Sequence, residues 1–162
     1  MTTKPFLLRH SRIIALVFGL AAFFGLVGCV GMRWAHLVTY TANNSKAWSA
    51  LAKRLPYIQA VECRNGIWKV ESKDSYEQFS RLHFSMSIVD GQGHKWSVSY
   101  EEGGEVKGSL RTYRVPDFLR IWCSSGVEHT KAYADFRQEV EKAIGPELMN
   151  MLSVSTQTYP EA

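Results

Sequence analysis

Residues 13–32 run Ile-Ile-Ala-Leu-Val-Phe-Gly-Leu-Ala-Ala-Phe-Phe-Gly-Leu-Val-Gly-Cys-Val-Gly-Met without a single charge. A stretch of roughly 20 apolar residues has the length of a bilayer's hydrocarbon core. It cannot join a water-facing fold as an ordinary surface helix, so it separates a short leader from everything that follows. Lys4, Arg9 and Arg12 precede it, and no acidic residue does. Positive flanks stay in the cytoplasm, which predicts an N-terminus inside and a C-terminus outside. The expected organisation is a basic n-region at 1–12, a transmembrane anchor or signal at 13–32, a connector at 33–43, an α+β domain at 44–152 and a polar tail at 153–162.

Two readings of the apolar stretch stand side by side. An uncleaved anchor fits its length and the pair Arg33-Trp34 at the far interface, where basic and aromatic side chains sit well. Ala21, Gly25 and Cys29 recur four apart, a spacing that permits close helix packing. The second reading starts from Leu26-Val27-Gly28-Cys29, which resembles the lipobox of bacterial lipoproteins. The resemblance covers only this N-terminal stretch, and it implies cleavage before Cys29 and lipidation of its thiol. The following Val30-Gly31-Met32-Arg33-Trp34 is apolar, unlike the polar tether usual in that family. Either reading predicts a bacterial inner-membrane protein with its C-terminal domain in the periplasm, or an outer-membrane location if Cys29 is lipidated.

The formal net charge is +4 over 162 residues. Three of the 19 Lys and Arg precede the apolar stretch, and all 15 Asp and Glu follow it. The exported part is therefore nearly neutral, with no basic block suited to a phosphate backbone. Nucleic acid is excluded as an expected partner. The expected partners are the membrane and an envelope protein.

Cys63 and Cys123 fall in the part expected to meet an oxidising compartment, where disulfides persist. A bridge would close a loop of about 60 residues, worth about 4 kcal/mol in the chain-entropy model. We expect that bridge. A redox pair usually takes the form Cys-x-x-Cys, which is absent from the sequence.

The remaining chain predicts an α+β domain: a helix, an antiparallel meander, and a C-terminal helix packed on one sheet face. The first helix begins at Asn44 or Ser45, with Trp48, Leu51, Ala52 and Leu55 on one face and Pro56 at its end. Residues 61–70 read as a hairpin about Asn65-Gly66, and 72–80 as a loop or single helical turn. Residues 82–88 and 96–100 alternate cleanly. A three-residue loop with Gly93 in the left-handed region pairs Phe84 with Tyr100, Met86 with Val98 and Ile88 with Trp96. The same test at Glu102-Gly103-Gly104 pairs Tyr100 with Val106, Val98 with Gly108 and Trp96 with Leu110. Residues 118–123 read as a further strand or a turn of helix; a strand would present Leu119, Ile121 and Cys123 together. Tyr133, Phe136, Val140, Ala143 and Ile144 recur at helical spacing before Gly145-Pro146. A short helix over 147–152 follows.

No catalytic constellation is legible. His10, His36, His83, His94 and His129 share no metal-ligand spacing, and no nucleophile elbow, phosphate loop or dinucleotide fingerprint occurs. We expect no catalytic residues, no metal and no cofactor. The candidate binding surface is the polar sheet face, with Ser85, Ser87, Ser97, Ser99 and Ser109 framed by Lys107 and Arg111. Hydroxyls beside cations suit an anionic glycan, a lipid headgroup or an acidic partner strand. The expected role is a non-catalytic, membrane-held docking component of an envelope assembly. The alternatives are a ligand-binding lipoprotein and, last, an envelope enzyme.

Overall fold

A computed structural model describes residues 34–78, 81–109 and 111–160. The apolar stretch at 13–32 lies outside them, and with it the anchor, the lipobox and Cys29. Among the described residues no helix is long and apolar enough to cross a membrane.

The architecture is α+β. Among the described residues the strands are β1 (Trp34–Ala42), β2 (Trp68–Gln78), β3 (Arg81–Asp90), β4 (Lys95–Glu101), β5 (Gly104–Lys107), β6 (Thr112–Val115), β7 (Asp117–Ser124) and β8 (Leu152–Pro160). The helices are α1 (Ser45–Gln59), α2 (Lys131–Ile144) and the single-turn α3 (Pro146–Met149). Six strands form an antiparallel sheet in the order β2-β3-β4-β7-β1-β8, while β5 and β6 form a separate ribbon.

The β3–β4 hairpin has the expected register. Phe84 faces Tyr100, Met86 faces Val98 and Ile88 faces Trp96. Gly93 sits at φ 86°, a left-handed conformation that glycine adopts without a Cβ penalty. Asp90 closes the turn, accepting from the backbone N–H of Gln92 and of His94, both at 2.9 Å.

The next strand in the sheet differs from expectation. β4 pairs with β7, not with β5, placing Trp96 beside Cys123, Val98 beside Ile121 and Tyr100 beside Leu119. The chain leaves the sheet at Gly103, whose surroundings explain why. A Cβ there would collide with the Val115 carbonyl oxygen. The backbone turns away and returns through β5 and β6 before β7 fills the place beside β4. Leu119, Ile121 and Cys123 are all fully buried there.

Three further segments depart from expectation. Residues 34–42, read as part of a connector, form β1, an interior strand between β7 and β8. The hairpin about Asn65-Gly66 is replaced by bends, because Trp68 starts a long strand that pairs with β3 from Asp90 to Arg81. That strand absorbs most of the expected loop at 72–80. Most of the expected polar tail is β8, at the edge of the sheet.

One sheet face carries the core. Val38, Tyr40, Phe84, Met86, Ile88, Trp96, Val98, Tyr100, Leu119, Ile121 and Cys123 are buried there. The long helices cover it. α1 begins at Asn44, whose side chain accepts from Ala47 N–H at 2.9 Å, and it buries Ala47, Leu51, Leu55 and Ile58. It runs three residues past Pro56, which sits in its last turn. Proline removes one helix N–H, and the carbonyl it would have met belongs to the exposed Ala52. α2 buries Tyr133, Phe136, Val140 and Ile144, with Ala132. Phe136 meets the edges of Trp68 and Trp96 at 5.2 and 5.7 Å between centroids. Polar pins fix the layer: Trp68 Nε1 donates to Asp135 at 2.8 Å, and the Tyr40 hydroxyl donates to Glu141 at 2.8 Å.

Candidate functional site

Alternation in a strand sends every second residue to the face opposite the core. Here the register assembles that face into cross-strand rows, and beside a shorter row of Lys69, Val89 and Lys95 three of them run from β2 to β1. The first is Tyr76, His83, Glu101, Phe118 and Thr41; the second is Asp74, Ser85, Ser99, Arg120 and Thr39; the third is Ser72, Ser87, Ser97, Trp122 and Leu37. The face has two halves. The serines come from β2, β3 and β4, whereas β7 supplies Phe118, Arg120 and Trp122 and β1 supplies Leu37 with two threonines.

Four residues of the expected binding surface therefore come together. Ser85 lies opposite Ser99, and Ser87 opposite Ser97. Ser109, Lys107 and Arg111 do not join them. They lie where the β5–β6 ribbon turns, closed by the Gly108 N–H donating to the Arg111 carbonyl at 2.9 Å. The separation follows from the β4–β7 pairing, which sends the ribbon out of the main sheet.

Sequence reading missed the apolar half. Trp122 is 41% exposed and stands between Ser97 and Leu37. Arg120 lies over the Phe118 ring at 4.7 Å and donates to Glu101 Oε2 at 3.2 Å. Tyr76 and His83 stack in parallel, 5.2 Å between centroids. Tyr76, His83, Glu101, Phe118 and Arg120, with the Ser85–Ser99 pair, line a cavity of about 180 Å³. Its one cation and one carboxylate are already paired. The alternation of Phe118, Arg120 and Trp122 was readable as the outward side of a strand. What the sequence did not carry was the β4–β7 pairing that sets these residues beside the serines.

Among the described residues Cys63 and Cys123 are free thiols, and the expected bridge between them is not formed. Cys63 is half-buried at the bend before β2, where its thiol donates to Asn65 Oδ1 at 3.0 Å and its sulfur accepts from Trp68 N–H at 3.4 Å. Cys123 is fully buried on the core face, with Tyr133 beside it. Burial, reinforced by the negative charge of Glu128, pushes its thiol up to about 12. A thiol so held is neutral and unreactive at physiological pH.

A second polar group is buried at the other end of the sheet. Asp117 is 2% exposed and accepts from the Tyr100 hydroxyl at 2.9 Å, the Gly103 N–H at 3.0 Å and Arg114 Nη2 at 3.2 Å. Arg114 also lies 3.7 Å above the Trp48 ring. This cluster ties the ribbon and α1 to the sheet, so its role is architectural. Among the described residues no group of three His, Cys, Asp or Glu side chains is arranged to hold a metal ion. The chain matches no protein-family model, no curated protein and no solved structure.

Proposed function

We propose that this chain is a non-catalytic domain held at a bacterial inner membrane by residues 13–32, on its periplasmic side, where it docks onto an envelope protein through the open sheet face. The observation that carries the reading is the pairing of halves on that face. Serine hydroxyls lie beside Trp122, Leu37 and Phe118; the formal charges in those three rows are Asp74, Glu101 and Arg120, the last two paired, and the adjoining row adds Lys69 and Lys95, the latter paired with Glu71. Aromatic residues within a polar, weakly charged surround suit a protein surface. A phosphate or an anionic glycan would call for unpaired cations.

The test is the particle size of the full chain extracted from its native membranes in mild detergent. Trp122→Glu is expected to reduce a larger assembly to the chain alone, while Gln138→Glu on the exposed side of α2 leaves it intact. An assembly indifferent to Trp122→Glu contradicts the reading.

A second reading, lipidation at Cys29, is favoured by Leu26-Val27-Gly28-Cys29. Intact mass separates the two. An uncleaved anchor gives the full-length mass, and a lipoprotein gives a mass beginning at Cys29 plus acyl chains.

A further inference from the structure

The two edges of the six-stranded sheet are built differently. β2 carries Lys69, Glu71, Lys73, Asp74 and Glu77, and a bulge interrupts its pairing between Val70 and Ser72. Lys73 Nζ reaches the Gln59 carbonyl at 2.6 Å, and Glu71 pairs with Lys95 at 2.9 Å. Charges and a bulge are the devices that keep an added strand off an edge. β8, at the other edge, has neither, and its one proline, Pro160, stands at the strand's last position. Its sequence is Leu-Ser-Val-Ser-Thr-Gln-Thr-Tyr-Pro, nine residues without a charge, and all but Leu152 are exposed. Val154 and Tyr159 stand 45% and 44% accessible. Among the described residues no strand pairs with its outer side.

We infer that β8 is a pairing edge whose occupant is the β8 of a second copy of this chain. Its neutrality permits that occupant, because antiparallel pairing of a strand with itself opposes no like charges when it carries none, and the match of its own side chains about one axis argues for it. A two-fold axis through Thr156 sets Val154 opposite Thr158, Ser155 opposite Gln157 and Ser153 opposite Tyr159. Every β-branched residue of the strand then meets another, the pairing that stabilises a sheet face. A residue-to-residue match about one axis is the isologous contact typical of two-fold dimers. The two six-stranded sheets become one continuous sheet. A seam of two short strands buries less than the roughly 1,200 Å² of a standard interface. The pairing is therefore weak and reversible, and it strengthens where copies are concentrated. It does not depend on the docking reading, since β8 variants leave Trp122 and its rows intact.

The test uses the full chain in detergent and in vesicles, with Cys29→Ser and Cys63→Ser as background, and mild oxidation to trap neighbours. Thr156→Cys is expected to give a covalent species of doubled mass, and Asp74→Cys on the opposite edge is not. Adding Val154→Lys with Thr158→Lys opposes two pairs of like charges and is expected to abolish the doubled species. Adding Val154→Lys with Thr158→Glu opposes unlike charges and is expected to restore it. The restoring pair carries the same lysine, so loss in the first combination is not a folding failure. No doubled species, trapping equal to Asp74→Cys, indifference to the charge pattern, or an adduct with a different protein each overturns the inference.

Discussion

Asp117→Ala removes the acceptor at the point where the ribbon leaves the sheet. The carboxylate is 2% exposed and receives three donors, two of them on buried residues, Tyr100 and Gly103. Truncation leaves the Tyr100 hydroxyl and the Gly103 N–H without a partner and out of reach of water. An unsatisfied buried donor costs about 1–3 kcal/mol. The third donor, Arg114, is 33% exposed and can turn to solvent, so its lost ion pair adds about 1 kcal/mol at most. Two such donors and the ion pair sum to about 2–7 kcal/mol, which brackets the roughly 3–5 kcal/mol found when one partner of a buried pair is removed. Total stability of a domain this size is about 5–15 kcal/mol, so the variant loses a large share of it. Asp117→Asn keeps an acceptor for one buried donor and falls between the variant and the parent. Arg114→Gln, which gives up the same ion pair and the contact over Trp48, costs about 1–2 kcal/mol. The assay is chemical denaturation of the full chain in detergent, followed by tryptophan fluorescence. An Asp117→Ala loss below about 1 kcal/mol, or one no larger than that of Arg114→Gln, refutes the claim that Asp117 anchors the ribbon.

Other consequences follow from single contacts. Gly103→Ala forces a Cβ against the Val115 carbonyl and is expected to destabilise by at least the ~1–3 kcal/mol of an overpacked site, read in the same denaturation curves. Desolvation pushes the Asp90 carboxyl up, but hydrogen bonds from the His94 ring and from the backbone of His94 and Gln92 outweigh it and hold the group below its ordinary value. A carboxyl lowered in the folded state stabilises above its unfolded value, and that contribution is lost as pH falls through the folded value. Asp90→Asn should therefore be less stable than the parent at neutral pH, and the difference should shrink in acid; a constant difference across the titration contradicts it. With both described cysteines free, a thiol reagent applied to the native chain should modify Cys63 and spare Cys123, as mapped by peptide mass. Equal labelling, or a gain of two hydrogens on reduction that maps to these two residues, contradicts the arrangement.

What could be read from the chain tracks how local each pairing is. The β3–β4 register was legible because alternation on both sides and Gly93 at the turn admit one solution. α1 and α2 were legible because capping and helical spacing are local signals. β5 was misplaced because gathering apolar residues on one side is a degenerate test. Residues 106–110 and 118–123 both satisfy it beside β4, and burial of Leu119, Ile121 and Cys123 decides for the distant one. β1 was masked by its neighbour: Val38, Tyr40 and Ala42 alternate as a strand should, but they follow the apolar stretch and so read as a connector. β8 looked like a tail because an edge strand with both faces exposed has no reason to carry an apolar pattern. On the candidate surface the serines were visible as an alternation, whereas Trp122 and Leu37 joined them only through long-range pairing. Asp117 gave no sign of its burial, because its partners lie 14 and 17 residues earlier.

The central claim is that the open sheet face meets a protein at the membrane. Photo-crosslinking in the native membrane tests it most directly, with a photoreactive residue placed at Trp122 and, separately, at Gln138 on the exposed side of α2. The account predicts one discrete protein adduct from position 122 in the membrane fraction and none from position 138. No adduct at 122, or the same adducts from both positions, contradicts it.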